Sequence, residues 1–169
     1  LMIKSFANLK KTILKNLKFR SKNKAGYNSE LRFSQIFGED KIERASDLSF
    51  FNSISNSKIV ICTIPQTSFT ECIFYNIPTI LIVDDLGYFD NKNRKNLLKT
   101  LIKIKMAFKN YNEAIKFLNL NWNNLDKWWH SKEVQKVRKI YLNKYYGTSE
   151  NIENNWDYML KKNLKFKNN

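Results

Sequence analysis

The residues of this chain best suited by type and spacing to chemistry are Thr63-Ile64-Pro65-Gln66-Thr67-Ser68-Phe69-Thr70-Glu71. They join a continuous apolar run to a stretch of helical pattern and are rich in small hydroxyls. At a helix start the first N–H groups, here those of Thr67, Ser68 and Phe69, have no intrahelical acceptor and stand at the positive end of the macrodipole. Such a mouth suits a phosphate or diphosphate. The hydroxyls of Thr63 and Ser68 would add bonds, and Glu71, one turn in, would accept from ribose hydroxyls. A second reading needs no ligand. Ser68-x-x-Glu71 is a capping-box pattern, in which each side chain bonds the other residue's backbone N–H.

Other chemistries have less support. Asp84 and Asp85 are adjacent on a strand end, where side chains point oppositely, so they do not form a carboxylate pair. His130, beside Trp128-Trp129, has no Ser or Cys nucleophile motif with it and reads as a helix-start or surface residue. Two cysteines and one histidine make no zinc set. The four glycines form neither G-x-G-x-x-G nor a Walker A loop. Cys62 and Cys72 lie in apolar segments and read as buried free thiols, which suits a reducing cytoplasm. Trp122, Trp128, Trp129 and Trp156 are read as packing helices onto a sheet, with stacking on bases or sugars as the alternative.

The elements that must hold the turn follow from the hydrophobic pattern. Lys58 to Thr63 is a β-branched apolar run, the pattern of a strand buried on both faces of a parallel sheet. Ser68 to Tyr75 reads as a helix stopped by Asn76-Ile77-Pro78, and Thr79 to Val83 as a second buried strand. Ligands of open parallel sheets sit beyond the carboxyl ends of the strands, so the Thr63–Ser68 turn and Asp84-Asp85 share the functional edge. Upstream, Asp47 to Ile54 reads as a helix capped by Asp47 or Ser46. Downstream the pattern predicts a helix over 91–105, a short strand at Met106-Ala107-Phe108 and a helix over 111–119. A continuous helix over 125–145, ended by Gly147, and a last helix over 152–164 follow. Phe6, Leu9, Ile13 and Leu17 lie at helical spacing between lysines. This segment reads as a core-facing helix, with a membrane-surface segment and a transit peptide as competing readings. The expected architecture is α/β, with a Rossmann-like parallel sheet, flanking helices and a helical C-terminal third. Residues 1–169 would form a single domain, with 147–169 as a terminal helix and frayed tail.

Composition bounds the rest. With 169 residues, 43% of them apolar, the chain can fill a core. Its longest apolar runs are four residues, against about 20 for a membrane-spanning helix. The net charge is +15, but 25 of the 30 cations are Lys and only five are Arg, beside 23 Asn and 17 Ile. These residues share A/T-rich codons, so base composition alone yields such a surplus. A protein selected to grip nucleic acid would use more Arg, whose planar fork binds phosphates and bases bidentately. The surplus also sits on the flanks: residues 1–24 carry eight cations and no acid, while 39–90 carry three cations and eight acids. The charge reads as solvated surface, with contact to an acidic membrane face open and no nucleic acid expected. A basic nucleic-acid-binding or non-catalytic α/β module is the alternative.

The run Asp47-Leu48-Ser49-Phe50-Phe51, then Ser57 to Glu71, then Asn76-Ile77-Pro78-Thr79-Ile80 resembles a family of bacterial transferases met among surface-polysaccharide genes. That family is similar to GT-B glycosyltransferases. Trp128-Trp129 followed by Val134-Gln135 and Arg138 also fits it. The likeness covers residues 47–160, and its most specific part is Thr-x-x-x-Thr-Ser/Thr-Phe-x-Glu with Asn-x-Pro-Thr after it. The resemblance implies the C-terminal half of a GT-B fold that binds a nucleotide-activated sugar or related donor. Thr63, Gln66, Thr67 and Ser68 would face the donor diphosphate and Glu71 the ribose. It implies no metal or cofactor beyond the donor, and a separate N-terminal half supplying the acceptor site and often the catalytic base. It leaves the catalytic residue of this chain unknown. A chain opening on Leu1 before Met2 fits a fragment of such an enzyme, working in the cytoplasm or peripherally at the inner membrane face.

Overall fold

The computed structural model describes residues 2–21, 28–44, 46–83 and 92–145. In chain order the helices before the sheet are α1 (Met2–Phe6), α2 (Lys11–Leu14), α3 (Ser29–Phe37) and α4 (Phe50–Ser55). Then come β1 (Val60–Cys62), α5 (Thr67–Phe74), β2 (Thr79–Ile82), α6 (Lys92–Lys103) and β3 (Ala107–Phe108). The chain continues through α7 (Tyr111–Asn121), α8 (Leu125–Trp129) and α9 (Lys132–Tyr145).

The apolar runs pair as parallel strands, but only β2 is covered on both faces; β1 stands at the edge of the described sheet and its Val60 and Ile61 are half-buried, against the expectation of two-sided burial. β2 lies between β1 and β3, and both pairings are parallel, with Val60 opposite Thr79, Cys62 opposite Leu81, and Leu81 opposite Ala107. Ile80, Leu81 and Ile82 are wholly buried, and their side chains alternate between two cores. Leu81 joins Phe69, Ile73, Leu97, Leu101, Val137 and Tyr141 beneath α5, α6 and α9. Ile80 and Ile82 join Phe6, Leu9, Ile13, Tyr111 and Leu118 beneath the N-terminal segment and α7. The result is a layered α/β fold with helices on both faces of a three-stranded parallel sheet. Each fully buried aliphatic side chain contributes on the order of 1.5–3 kcal/mol, so the strands need only a few residues each to be fixed in register.

Four expectations are corrected in detail. The N-terminal segment is two short helices, because Asn119 on α7 intervenes between them: its Oδ1 accepts from Lys10 N–H at 2.8 Å and its Nδ2 donates to the Asn8 carbonyl at 2.9 Å. Phe6, Leu9 and Ile13 are buried, as a core-facing segment requires. The cap of α4 is Ser49, whose hydroxyl accepts from Asn52 N–H at 3.2 Å. Asp47 instead accepts from Arg44 N–H and from the Ser46 hydroxyl, closing the turn before the helix. The stretch 125–145 is two helices, broken at His130-Ser131, where the Ser131 hydroxyl accepts from Val134 N–H and starts α9. The start of α5 also departs from expectation, with Gln66 and not Ser68 at its cap. Trp128 donates to the Ile104 carbonyl and Trp129 is fully buried, so these two tryptophans pack helices as expected. Asp84, Asp85, Gly147, Trp156 and the helix expected over 152–164 lie outside the described residues.

Candidate functional site

The turn leaving β1 is set by backbone bonding. Gln66 N–H donates to the Ile64 carbonyl at 2.9 Å, and the Gln66 carbonyl accepts from Thr70 N–H at 3.2 Å. Gln66 is therefore the N-cap of α5, with extended backbone (φ −116°, ψ −162°) and no side-chain capping bond. This overturns the Ser68–Glu71 capping box. The helix starts two residues too early for Ser68 to occupy the cap, so the reciprocal bonds do not form. Two consequences follow. Among the described residues, the N–H groups of Thr67, Ser68 and Phe69 find no backbone acceptor. The carboxylate of Glu71 is likewise not spent on a cap.

Gln66, Thr67 and Glu71 line one cavity of about 610 Å³, together with Thr70. Its floor is apolar, from Leu81, Leu97 and Leu101, and its far wall carries Arg94 from α6 and Tyr141 and Tyr145 from α9. Thr63 and Ser68 are half-buried in the same turn but do not line this space. The Tyr141 hydroxyl and the Thr70 hydroxyl lie 3.0 Å apart, and the Phe69 and Tyr141 rings meet edge to face with centroids 5.5 Å apart. Burial raises the Tyr141 phenol above its ordinary pKa, so at neutral pH it is a hydrogen-bonding hydroxyl. The cavity opens where α5 follows β1 and α6 follows β2, at the carboxyl edge expected for ligands of a parallel sheet.

The opposite end of α5 is held by α9. Arg138 donates through Nε to the Ile73 carbonyl at 2.7 Å and through Nη2 to the Phe74 carbonyl at 2.8 Å. They lie among the last carbonyls of the helix, which lack intrahelical i+4 partners, although that of Ile73 also accepts from Asn76 N–H at 3.3 Å, and a cation there complements the dipole. Trp129 Nε1 reaches both the carbonyl and the Oδ1 of Asn76 at 3.0 Å, and Gln135 Nε2 donates to the same Oδ1 at 3.2 Å. Asn76 sits in the left-handed region at φ +58°, where Asn is tolerated better than most residues. The Trp128-Trp129, Gln135 and Arg138 pattern noted in the sequence is therefore a clamp on the C-terminal end of α5.

Other groups do not converge on the cavity. Cys62 and Cys72 are free and buried. Their mutual hydrogen bond, followed by burial, pushes the Cys62 thiol well above its ordinary pKa. His130 is exposed at the C-cap of α8, where Nδ1 meets the Asp126 carbonyl at 3.0 Å. Among the described residues no group of three His, Cys, Asp or Glu stands close enough to hold a metal ion, and no helix is long and apolar enough to cross a membrane. A shallower depression of about 460 Å³ lies between Asn8 and α7, but Asn119, its central amide, is engaged in tying the N-terminal segment down.

Sequence reasoning alone did not bring Thr70, Arg94, Tyr141 and Tyr145 to the turn, since three of them come from helices far along the chain. One signal was present. Arginine is rare here, and Arg20, Arg44 and Arg138 each use the guanidinium on a protein acceptor: Glu43, Glu39, and the α5 carbonyls. Arg94 lines the cavity.

No curated protein and no solved structure gives a significant match to the chain. The sequence model described as LIC12162 family transferase matches residues 3–160, nearly the whole length and the entire frame of the cavity. The chain belongs to the LIC12162 family of transferases.

Proposed function

We propose that this chain binds the activated donor of a group-transfer reaction, a nucleotide sugar or a related nucleotide-linked group used in surface polysaccharide synthesis. The observation that carries this reading is the cavity itself. It combines the carboxylate of Glu71 and the N–H group of Thr67, which finds no backbone acceptor among the described residues, on one wall with an arginine and two phenolic rings on the other. Its volume of about 610 Å³ falls in the range of small-ligand sites. Glu71 accepts from ribose or sugar hydroxyls, and the N–H group of Thr67 donates to phosphoryl oxygens. The hydroxyl of Thr67 and the amide of Gln66 complete the donor contacts in this reading, while Thr63 and Ser68, half-buried in the same turn, stand outside the cavity. When the bond to the transferred group breaks, negative charge grows on the departing diphosphate, and donors already aimed at it lower the barrier. Membership of a transferase family supports group transfer. The glycosyl character, the GT-B relationship and the polysaccharide setting rest on the sequence resemblance. In this reading a separate N-terminal half supplies the acceptor site and often the catalytic base, and the lysine-rich surface allows peripheral contact with an acidic membrane face.

Thermal unfolding of this chain with UDP, GDP, CDP and their sugar conjugates tests the reading. A ligand present at about 100 times its Kd stabilises by roughly 2.7 kcal/mol, and Glu71→Gln and Thr67→Ala should shrink that gain. If no nucleotide raises the transition and neither substitution alters transfer by the intact enzyme, the proposal is wrong.

A further inference from the structure

Helices α6 and α9 pack against each other over one core, burying Leu97, Leu98 and Leu101 from the first and Val134, Val137 and Tyr141 from the second. With 3.6 residues per turn, the positions opposite those buried faces are Lys92, Lys95, Asn96, Lys99 and Lys103 on α6. On α9 they are Lys132, Lys136, Lys139 and Asn143. All of these are exposed. Two rows of lysine thus crest one layer of the molecule. No acid stands on α6, and on α9 Glu133 alone lies to the side of its row. Among the described residues none of these ammonium groups meets a carboxylate. Base composition explains many lysines but not this sorting. Helix α7, which covers the other face of the sheet, carries only Glu113 and Lys116 as charges and is neutral. Lysines three or four residues apart on a helix have Cβ atoms about 5–6 Å apart. That is within the screening length of about 8 Å at physiological salt, so each row repels itself and an opposing anionic surface relieves it.

We propose that the outer faces of α6 and α9 form a docking surface for an anionic lipid bilayer, held by Lys95, Lys99 and Lys103 on one helix and Lys132, Lys136 and Lys139 on the other. This rests on the peripheral contact in the functional reading above, to which it gives a face, and not on the donor cavity. The partner's chemistry follows from the residue types. An ammonium is a compact point charge that needs no bidentate geometry, and the headgroup layer of an acidic leaflet presents diffuse negative charge of that kind. Nucleic acid favours the arginine fork, and neither crest carries one: Arg138 turns inward, where its guanidinium is spent on the α5 carbonyls. Large apolar side chains are also missing from the two rows, with Ile140, 48% exposed, at the border of one. The contact is therefore electrostatic and reversible, without burial of the helices in the acyl layer. Because α6 contributes Arg94 and α9 contributes Tyr141 and Tyr145 to the candidate cavity, docking through these two helices holds that cavity beside the leaflet.

The test is co-sedimentation of the full chain with vesicles of phosphatidylcholine alone and of phosphatidylcholine mixed with phosphatidylglycerol, at low and physiological salt. Three triple variants are compared with wild type: Lys95→Gln, Lys99→Gln and Lys103→Gln together; Lys132→Gln, Lys136→Gln and Lys139→Gln together; and Lys4→Gln, Lys11→Gln and Lys15→Gln together. All nine positions are exposed, so folding is retained, which the unfolding transition verifies. The last set removes the same charge from the N-terminal segment, on the other side of the sheet. Wild type should bind the mixed vesicles, release them as salt rises and leave the neutral ones in solution. A lysine at an anionic surface contributes about fivefold to binding, so each of the first two sets should weaken it by roughly a hundredfold. The N-terminal set should weaken it far less. Equal losses in all three sets mean attraction by net charge alone and overturn the assigned face. Failure to bind mixed vesicles at low salt, or equal binding to neutral ones, overturns the surface itself. A DNA duplex that displaces the protein from mixed vesicles at equal phosphate concentration overturns lipid as the partner. Nucleotide stabilisation is read separately and does not depend on these lysines, so the donor reading stands or falls on its own.

Discussion

Replacing Arg138 by Ala removes both donors that the guanidinium directs at the end of α5, one to Ile73 at 2.7 Å and one to Phe74 at 2.8 Å. A hydrogen bond involving a charged group contributes about 1.5–3 kcal/mol when well buried. Two such bonds set an upper bound of roughly 3–6 kcal/mol. Phe74 is itself 40% exposed and the guanidinium is half-buried, so water replaces part of what is lost. The expected cost is therefore about 2–3 kcal/mol, including the packing of the aliphatic stem. For a domain of this size that lowers the unfolding midpoint by roughly 5–10 °C. Urea unfolding followed by tryptophan fluorescence reads it directly, since Trp129 belongs to the same clamp, and the slope of the transition should not change. Arg138→Lys keeps the charge but not the fork and should recover about half of the loss. A cost below about 0.5 kcal/mol for Arg138→Ala, the level of an ordinary surface substitution, would refute the clamp. So would full recovery by Lys, because it would show that charge alone and not the two directed bonds matters.

Asn76→Ala and Asn76→Gly both delete the Oδ1 acceptor of Trp129 and Gln135, but only Gly is at ease at φ +58°. Ala should be the less stable of the two by about 1 kcal/mol in urea unfolding. Ser49→Ala should cost about 1 kcal/mol by removing the cap of α4, with Ser49→Gly costing less, and far-ultraviolet dichroism with denaturant titration measures both. Tyr141→Phe loses the bond to Thr70, about 1 kcal/mol at neutral pH. Because burial raises the Tyr141 phenol, the folded state holds that proton more tightly than the unfolded one. Its contribution is full below the unfolded value of about 10 and falls as pH rises from there through the folded value. The Phe variant should therefore lose less stability than wild type between neutral pH and alkaline pH, and denaturant titrations at the two ends show the difference.

How far the sequence discloses the molecule depends on whether the cause is local. Ile59 to Cys62 and Thr79 to Val83 read as parallel strands because they show no polar alternation, and they pair so, although two-sided burial holds for β2 and not for the half-buried β1. The helices over 92–103 and 111–121 show their apolar faces at helical spacing, and Leu97, Leu98, Leu101, Ile115 and Leu118 are buried as those faces require. The start of α5 misleads because a backbone bond from Gln66 to Ile64 sets it, while Ser68-x-x-Glu71 advertises a cap. The break at His130-Ser131 was readable in principle, since Ser131 with Glu133 in the following turn is a helix-start signal; the apolar periodicity running across it hides the stop. In the candidate site, Gln66, Thr67 and Glu71 do share a cavity, whereas Arg94, Tyr141 and Tyr145 are joined to it only by tertiary packing.

The contacts between α5 and α9 explain why one pattern in the sequence can serve both fold and site. Arg138 meets residues 73 and 74, and Tyr141 meets Phe69 and Thr70. Moving three residues up α9 moves the contact about four residues down α5, so the two helices run antiparallel along each other in register. Tyr145, one turn beyond Tyr141, then falls beside the cavity that Gln66 and Thr67 line. The clamp fixes the axial position of α9, and that position fixes where Tyr145 stands beside the cavity. A side chain that never touches the cavity thus sets its shape through a rigid helix. Cores packed at crystal-like density transmit such a displacement rather than absorb it. The tryptophan, glutamine and arginine at the closed end of α5 are accordingly positioning residues for whatever its open end holds.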